Sequence, residues 1–108
     1  MGLFFRNKTN ITPDEAHERI KSGEKIVVLD VRTPSEFRQI RIMGAKLLPV
    51  DQIEARAAAE LPDKTVPVLV YCQSGARADR AVGILNRMGY DAVSFGGIIN
   101  WPYEVMRG

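Results

Sequence analysis

The chain holds one cysteine, Cys72, and its neighbours decide what that cysteine can do. It opens the run Cys72-Gln73-Ser74-Gly75-Ala76-Arg77. Before it stands the apolar stretch Val68-Leu69-Val70-Tyr71, and after it Ala81, Val82, Ile84, Leu85 and Met88 recur at helical spacing. A cysteine at such a strand-to-helix junction lies at a helix N-terminus, where unpaired N–H groups and the helix dipole favour negative charge. A thiolate is such a charge, and Arg77 adds a fixed positive one. Gly75 supplies the positive φ that an inward-curling loop needs. The chemistry offered is nucleophilic: a thiolate attacks, and loop amides stabilise the anion that results. A lone cysteine at a strand end is otherwise a small buried hydrophobe. The Cys-x-x-Gly-x-Arg surroundings tip the reading towards reactivity.

Strand and helix signals alternate along the rest of the chain. Thr12-Pro13-Asp14-Glu15 starts a helix, with Thr12 as N-cap and Glu15 completing a capping box, and Gly23 ends it. Ile26-Val27-Val28-Leu29 has the continuous apolar character of a strand buried on both faces of a parallel sheet. Thr33-Pro34-Ser35-Glu36 repeats the helix-start chemistry. Lys46-Leu47-Leu48 predicts a short strand, Asp51 to Leu61 a helix, and Val68 to Tyr71 a strand whose edge is marked by Pro67. A helix from about Ala76 to Met88 ends at Gly89. Asp91 to Ser94 predicts the last strand, Phe95-Gly96-Gly97 a loop, and Ile98 to Met106 a terminal helix interrupted by Pro102. Strands joined by helices require right-handed crossovers and a sheet covered on both faces, hence an α/β class. Ligands of such sheets bind beyond the carboxyl ends of the strands. That rule brings Asp30-Val31-Arg32, Cys72 to Arg77, and Phe95-Gly96-Gly97 to one edge.

Composition bounds the function. A chain of 108 residues with 45% hydrophobic content fits one domain, with its core over about residues 11–106. The 15 basic and 13 acidic residues are scattered and give a net charge of +2, without the basic cluster that would track a nucleic-acid backbone. Met1-Gly2-Leu3-Phe4-Phe5-Arg6 is too short an apolar run for a signal peptide, and Arg6 argues against myristoylation. No apolar run reaches the length of a membrane helix. One cysteine forms no internal disulfide, and the expected setting is a reducing, cytoplasmic one with no membrane partner. No His, Cys or carboxylate cluster has metal-ligand spacing. His17 is expected to be a solvated helical residue, and Trp101 a core anchor.

The assembled motifs resemble those of the rhodanese family over about Ile11 to Met106. The matching pieces are Val28-Leu29-Asp30-Val31-Arg32 with Glu36-Phe37, Gly44-Ala45, Val70-Tyr71-Cys72-Gln73-Ser74-Gly75-Ala76-Arg77, and Gly96-Gly97 with Trp101. The resemblance implies a three-layer α/β/α fold with a five-stranded parallel sheet, and sulfane sulfur transfer without a metal or organic cofactor. It implies Cys72 as the nucleophile that becomes a persulfide. Gln73, Ser74, Gly75, Ala76 and Arg77 would form the substrate loop, Arg77 orienting an anionic donor or closing the loop. The implied partners are a small sulfur donor, thiosulfate or a persulfide, and a thiol, cyanide or protein-cysteine acceptor. With no second thiol in the chain, that acceptor comes from outside. Asp30 and Arg32 are candidates for pocket support, or for a structural pair in which Arg32 reaches Glu36. The chain departs from the common family pattern at Ile40-Arg41-Ile42-Met43 and at Gln73, where many members carry a cation.

Two other readings bear on the same loop. A cysteine phosphatase or arsenate reductase needs Cys-x5-Arg, wide enough for a group with three oxygens, whereas Arg77 is the fifth residue after Cys72 and Ala78 the sixth. The narrower loop suits a single sulfur atom. A non-catalytic binding module of the same fold would typically lack the cysteine.

Overall fold

In the computed structural model, which describes residues 8–108, the chain runs α1 (Pro13–Lys21), β1 (Val27–Asp30), α2 (Pro34–Gln39), β2 (Ile40–Ile42), β3 (Lys46–Leu47), α3 (Ile53–Glu60), β4 (Val68–Cys72), α4 (Ala76–Arg87), β5 (Ala92–Gly97) and β6 (Val105–Arg107). Short 3-10 turns precede α3, at Val50–Gln52, and follow β5, at Ile98–Asn100. The segment Met1 to Arg6, read above against a signal peptide and myristoylation, lies outside the described residues. Among those described, no helix is long and apolar enough to cross a membrane.

Both Thr-Pro helix starts form capping boxes. The Thr12 hydroxyl accepts the Glu15 N–H at 3.0 Å while the Glu15 carboxylate accepts the Thr12 N–H at 2.8 Å. The Thr33 and Glu36 pair does the same at 3.2 and 2.9 Å. Each box satisfies two donors that a helix start would otherwise leave open.

β1, β3, β4 and β5 build one parallel sheet in the order β3-β1-β4-β5. Successive side chains of a strand point to opposite faces, and β4 shows the consequence. Val68, Val70 and Cys72 enter one core with Ile53 and Ala57 of α3 and Ala78, Ala81, Val82 and Leu85 of α4. Leu69 and Tyr71 enter the other with Ala16 of α1, Ile42, Phe95 and Trp101. The sheet is therefore covered on both faces, as a parallel sheet with continuous apolar strands must be.

Three expectations are corrected. Among the described residues, the expected fifth strand is one parallel bridge between Asn10 and Ser94 beside β5, with the Ile11 N–H on the Ser94 carbonyl at 2.9 Å. The Thr12-Pro13 helix start commits the chain to α1 immediately afterwards, which ends this pairing on its C-terminal side. The terminal helix over Ile98 to Met106 is replaced by a 3-10 turn and an extended segment. Pro102 lacks an N–H and disfavours helical geometry in the residue before it, and Trp101 accordingly has φ −88° and ψ 111°. That extended segment ends in β6, which pairs antiparallel with β2 at Ile40↔Arg107 and Ile42↔Val105. The third concerns Phe95-Gly96-Gly97, expected as a loop, which belongs to β5.

Between β4 and β5 the register shifts, from Val70↔Ser94 to Cys72↔Gly97. The irregularity brings Gly97 against the chain leaving Cys72. A Cβ on Gly97 would stand 2.6 Å from the Ser74 Cα and closer still to the Gln73 carbonyl. Because those obstacles are backbone, Gly97→Ala must displace residues 73–75. The expected result is a folded protein destabilised by about 1–3 kcal/mol, with altered amide shifts confined to residues 72–78 and 95–99. A urea melt and an amide correlation spectrum measure the two effects.

Candidate functional site

The turn from β4 into α4 occupies three residues, Gln73, Ser74 and Gly75. Gly75 has φ 122°, inside the region that L side chains rarely adopt, and it is the residue from which α4 starts. Its conformation turns the first free N–H groups of α4 back towards Cys72. The Cys72 Sγ accepts the Gly75 N–H at 3.0 Å and the Ala78 N–H at 3.4 Å. Two donors that would be orphans at a helix start are thus aimed at one sulfur. Cys72 is 1% exposed, whereas Gln73 and Ser74 next to it are exposed. The outer side of the turn is fixed as well, since the Gln73 carbonyl accepts the Ile99 N–H at 3.2 Å.

Arg77 leaves the first turn of α4 and gives both terminal nitrogens to Glu36, at 2.8 and 2.9 Å. This forked pair lets a planar guanidinium meet a carboxylate through two parallel bonds. Glu36 is the same residue that closes the capping box of α2, so one carboxylate holds Thr33 and Arg77 together. The hydrogen bonds from Arg77, followed by the Thr33 N–H, hold its carboxyl well below the usual range, at about 2, against a burial effect of opposite sign. Arg77 is correspondingly raised by Glu36.

Asp30 and Arg32, at the end of β1, are 0% and 1% exposed. The Arg32 Nη2 donates to Asp30 Oδ2 at 2.7 Å and to the Ile40 carbonyl at 2.6 Å, and Nε completes the fork at 3.0 and 3.1 Å. The guanidinium also lies 5.6 Å from the centre of the Tyr71 ring. Arg32 therefore pairs with Asp30 and does not reach Glu36, the partner expected four residues along. A buried cation requires a buried partner, and Asp30 is the one it has. On the other face of β4, the Tyr71 hydroxyl accepts the Ile42 N–H at 3.0 Å, and burial raises the phenol above its ordinary range.

The three strand ends that the sequence places at one edge do meet there. Cys72 to Arg77 form the loop, Gly97 packs on it, and Asp30 with Arg32 closes the neighbouring strand end. Glu36 and Ile99 are contacts that local sequence spacing does not disclose. Glu36 lies 41 residues from Arg77, and its local signals, the capping box with Thr33 and the four-residue spacing from Arg32, do not point to Arg77. His17 is not simply solvated: its ring stacks on Tyr103 at 3.6 Å between centroids and meets Trp101 edge-on at 5.9 Å. Trp101 is a core anchor, 9% exposed, whose indole N–H donates to the Glu104 carbonyl at 3.2 Å.

The rhodanese-like domain model matches residues 12–101. The chain is 38% identical over 100 residues to MoeZ of Mycobacterium tuberculosis, a probable adenylyltransferase/sulfurtransferase, covering 90% of this chain and 25% of that protein. It is 38% identical over 69 residues to the thiosulfate sulfurtransferase PspE of Escherichia coli, covering 64% of this chain and 66% of that one. This chain thus spans a quarter of the mycobacterial relative's length and just under two thirds of the other's. Among solved structures, a rhodanese-like domain protein from Staphylococcus aureus superposes with a TM-score of 0.79 at 30% identity, covering 93% of this chain and 98% of that one. By sequence and by fold, the chain belongs to the rhodanese-like domain family.

Proposed function

We propose that this protein is a sulfurtransferase that moves sulfane sulfur from a donor, such as thiosulfate or a thiol persulfide, to a thiophilic acceptor through a persulfide on Cys72. The observation that carries the reading is the pair of backbone N–H groups on the Cys72 Sγ. They stabilise negative charge on a sulfur at that position without any side chain having to move. In the first half-reaction the Cys72 thiolate attacks the outer sulfur of the donor. A new S–S bond forms at Sγ, the donor's S–S bond breaks, and its electron pair leaves with sulfite or with the donor thiolate. In the second, an acceptor nucleophile takes the outer sulfur, and the electron pair of the Cys72 S–S bond returns to Sγ. Cyanide, a cellular thiol or a protein cysteine fits that role.

The loop residues Gln73, Ser74, Gly75, Ala76 and Arg77 surround the transferred sulfur in this reading. Arg77 acts as the strut that holds the loop to α2 through Glu36, and Asp30 with Arg32 supports the adjoining strand end. The likeness to a protein named thiosulfate sulfurtransferase supports thiosulfate as the first donor to try.

Incubation of the reduced, folded protein with a panel of sulfane sulfur donors is expected to add one sulfur, about 32 Da, to the intact mass. Cys72→Ser is expected to remove both that adduct and thiocyanate formation from cyanide. A protein that loads from none of the donors would overturn the assignment. Arg77→Met leaves the Glu36 carboxylate unmatched beside the loop and frees the strut, so single-turnover loading is expected to slow by about tenfold or more. The pH dependence follows from the depressed Glu36 carboxyl. A carboxyl lowered in the folded state contributes stability that is complete above its unfolded value, about 4.3. That contribution is lost as the pH falls towards about 2. Glu36→Gln is accordingly expected to be less stable than the parent at pH 7, with the gap narrowing from pH 5 to 2 in urea melts.

A further inference from the structure

The two outer edges of the small β2-β6 sheet are not alike. In an antiparallel pair, opposed residues alternate between those that exchange hydrogen bonds and those whose N–H and C=O groups point away from the partner strand. The Gly108 N–H donates to the Gln39 carbonyl at 3.2 Å, which with the register makes Arg41 and Met106 the next bonded pair. Ile40 and Ile42 on β2, and Val105 and Arg107 on β6, therefore turn their main-chain groups outward. On the β2 side those groups are used. The Ile42 N–H donates to the Tyr71 hydroxyl at 3.0 Å, and the Ile40 carbonyl accepts from Arg32 at 2.6 Å. On the β6 side, none of the described residues takes up the outward N–H and C=O groups of Val105 and Arg107. β6 thus presents an open strand edge, which is a template for a further strand.

The charge beside this edge has one sign. Ile40, Ile42 and Val105 pack into the core, so the alternation of the strands sets Arg41 and Met106 on the outer face. Arg41 is held there by the Phe37 carbonyl at 3.1 Å and by the Phe37 ring, 5.2 Å from its guanidinium. Arg38, in the last turn of α2, and Arg107 are exposed. Arg19, Arg32, Arg56 and Arg77 each reach a carboxylate, whereas Arg38, Arg41 and Arg107 have no ion-pair partner among the described residues. Met106 between them is 41% exposed. At the Val105 end of the strand opens a groove of about 220 Å³ lined by His17, Ile20, Ile42, Met43, Trp101 and Tyr103. We propose that the open edge of β6 takes an extended segment of a partner protein as an added strand. Its acidic side chains meet Arg38, Arg41 and Arg107, and an apolar one enters the groove. Main-chain bonds and alternate side chains then share the recognition. The edge is only three residues long, so the charges carry much of the affinity. A second copy on the same edge would set these arginines against their own kind, which favours an acidic partner instead. The assignment is independent of the sulfurtransferase reading.

A displayed library of short random peptides without cysteine, selected for binding to the full chain, tests the assignment. Enriched peptides are expected to carry Asp or Glu at alternate positions together with one large apolar residue. Their affinity is expected to fall about tenfold or more between about 0.05 and 0.5 M salt. Arg107→Gln removes a charge and is expected to weaken the best peptide by about threefold. Arg107→Pro removes that charge and also the outward N–H, while the bonds between Met106 and Arg41 stay, so it is expected to cost about fivefold more than Arg107→Gln. Methylation of the peptide's own N–H groups at every second residue is expected to abolish binding in one phase and spare it in the other. Amide shifts on binding are expected at residues 38–43 and 104–108 of the unaltered protein. A selection that enriches no peptide, or peptides without an acidic bias, would overturn the proposal. So would equal affinities for the Gln and Pro variants combined with binding that survives methylation in both phases. A dimer of the peptide-free protein in sedimentation, dissociated by Arg107→Pro, would overturn it by giving the edge to a second copy. None of these measurements uses sulfur loading, so their failure leaves the sulfurtransferase reading as it stands.

Discussion

Everything at the site depends on the chain leaving β4 and entering α4 within three residues. A turn that short leaves the first N–H groups of a helix without partners, and an element buried in this way must find acceptors for them. Here the acceptor is the Cys72 sulfur, which takes the Gly75 and Ala78 N–H groups. The same constraint explains features that look separate. Gly75 has φ 122° because the inward curl demands it, and Gly97 has no side chain because the turn lies against it. The register shift in β5 exists where Gly97 must sit opposite Cys72. The Ile99 N–H then closes the outer carbonyl of the turn.

A second layer of structure holds this turn in place through charge. Arg77 is anchored by Glu36, and Glu36 is itself anchored by the capping box of α2, so the first turns of two helices share one carboxylate. A surface ion pair of two free side chains contributes little, because ordering both costs entropy. This one differs in that the capping box already holds Glu36, so forming the fork orders only Arg77. Arg32 and Asp30 follow the opposite logic. They are fully buried, and their pairing avoids the cost of an unmatched internal charge rather than adding stability outright. The fork also fastens the start of β2 to the sheet through the Ile40 carbonyl.

The parts of this architecture that local chemistry dictates were legible in the sequence. Thr12-Pro13 and Thr33-Pro34 announced their capping boxes, and the apolar runs announced β1 and β4. The Cys72 to Arg77 stretch declared itself by residue type and by its position between a strand and a helix. What could not be read depends on contacts between distant segments. Ile40-Arg41-Ile42 has no strand signal strong enough to stand alone, and it is a strand because Val105 to Arg107 arrives to pair with it. Val105 to Arg107 is extended in turn because Pro102 blocks the helix that the Ile98 to Met106 pattern suggested. Arg32 faced two carboxylates at helical or strand spacing, and only the folded edge decides for Asp30. The helical pattern likewise made His17 a solvated residue, while the return of Tyr103 and Trp101 gave its ring a stacking partner.

The alternation along β4 joins these layers. Cys72 points into the core beneath α3 and α4, and Tyr71, one residue earlier, points into the opposite core, where its hydroxyl holds the Ile42 N–H. A sulfur on a fully buried central strand inherits the rigidity of both cores, which a sulfur on a surface loop would not have. Burial also limits how a reactant can arrive. With Cys72 itself 1% exposed and Gln73 and Ser74 exposed beside it, the route to the sulfur runs through the short turn rather than past the sheet. The turn therefore has two sides: its backbone N–H groups point at the Cys72 sulfur, and the Gln73 and Ser74 side chains face outward. The first is fixed by the geometry of a strand meeting a helix. The second varies with the residues placed on the turn, which can change without disturbing the fold.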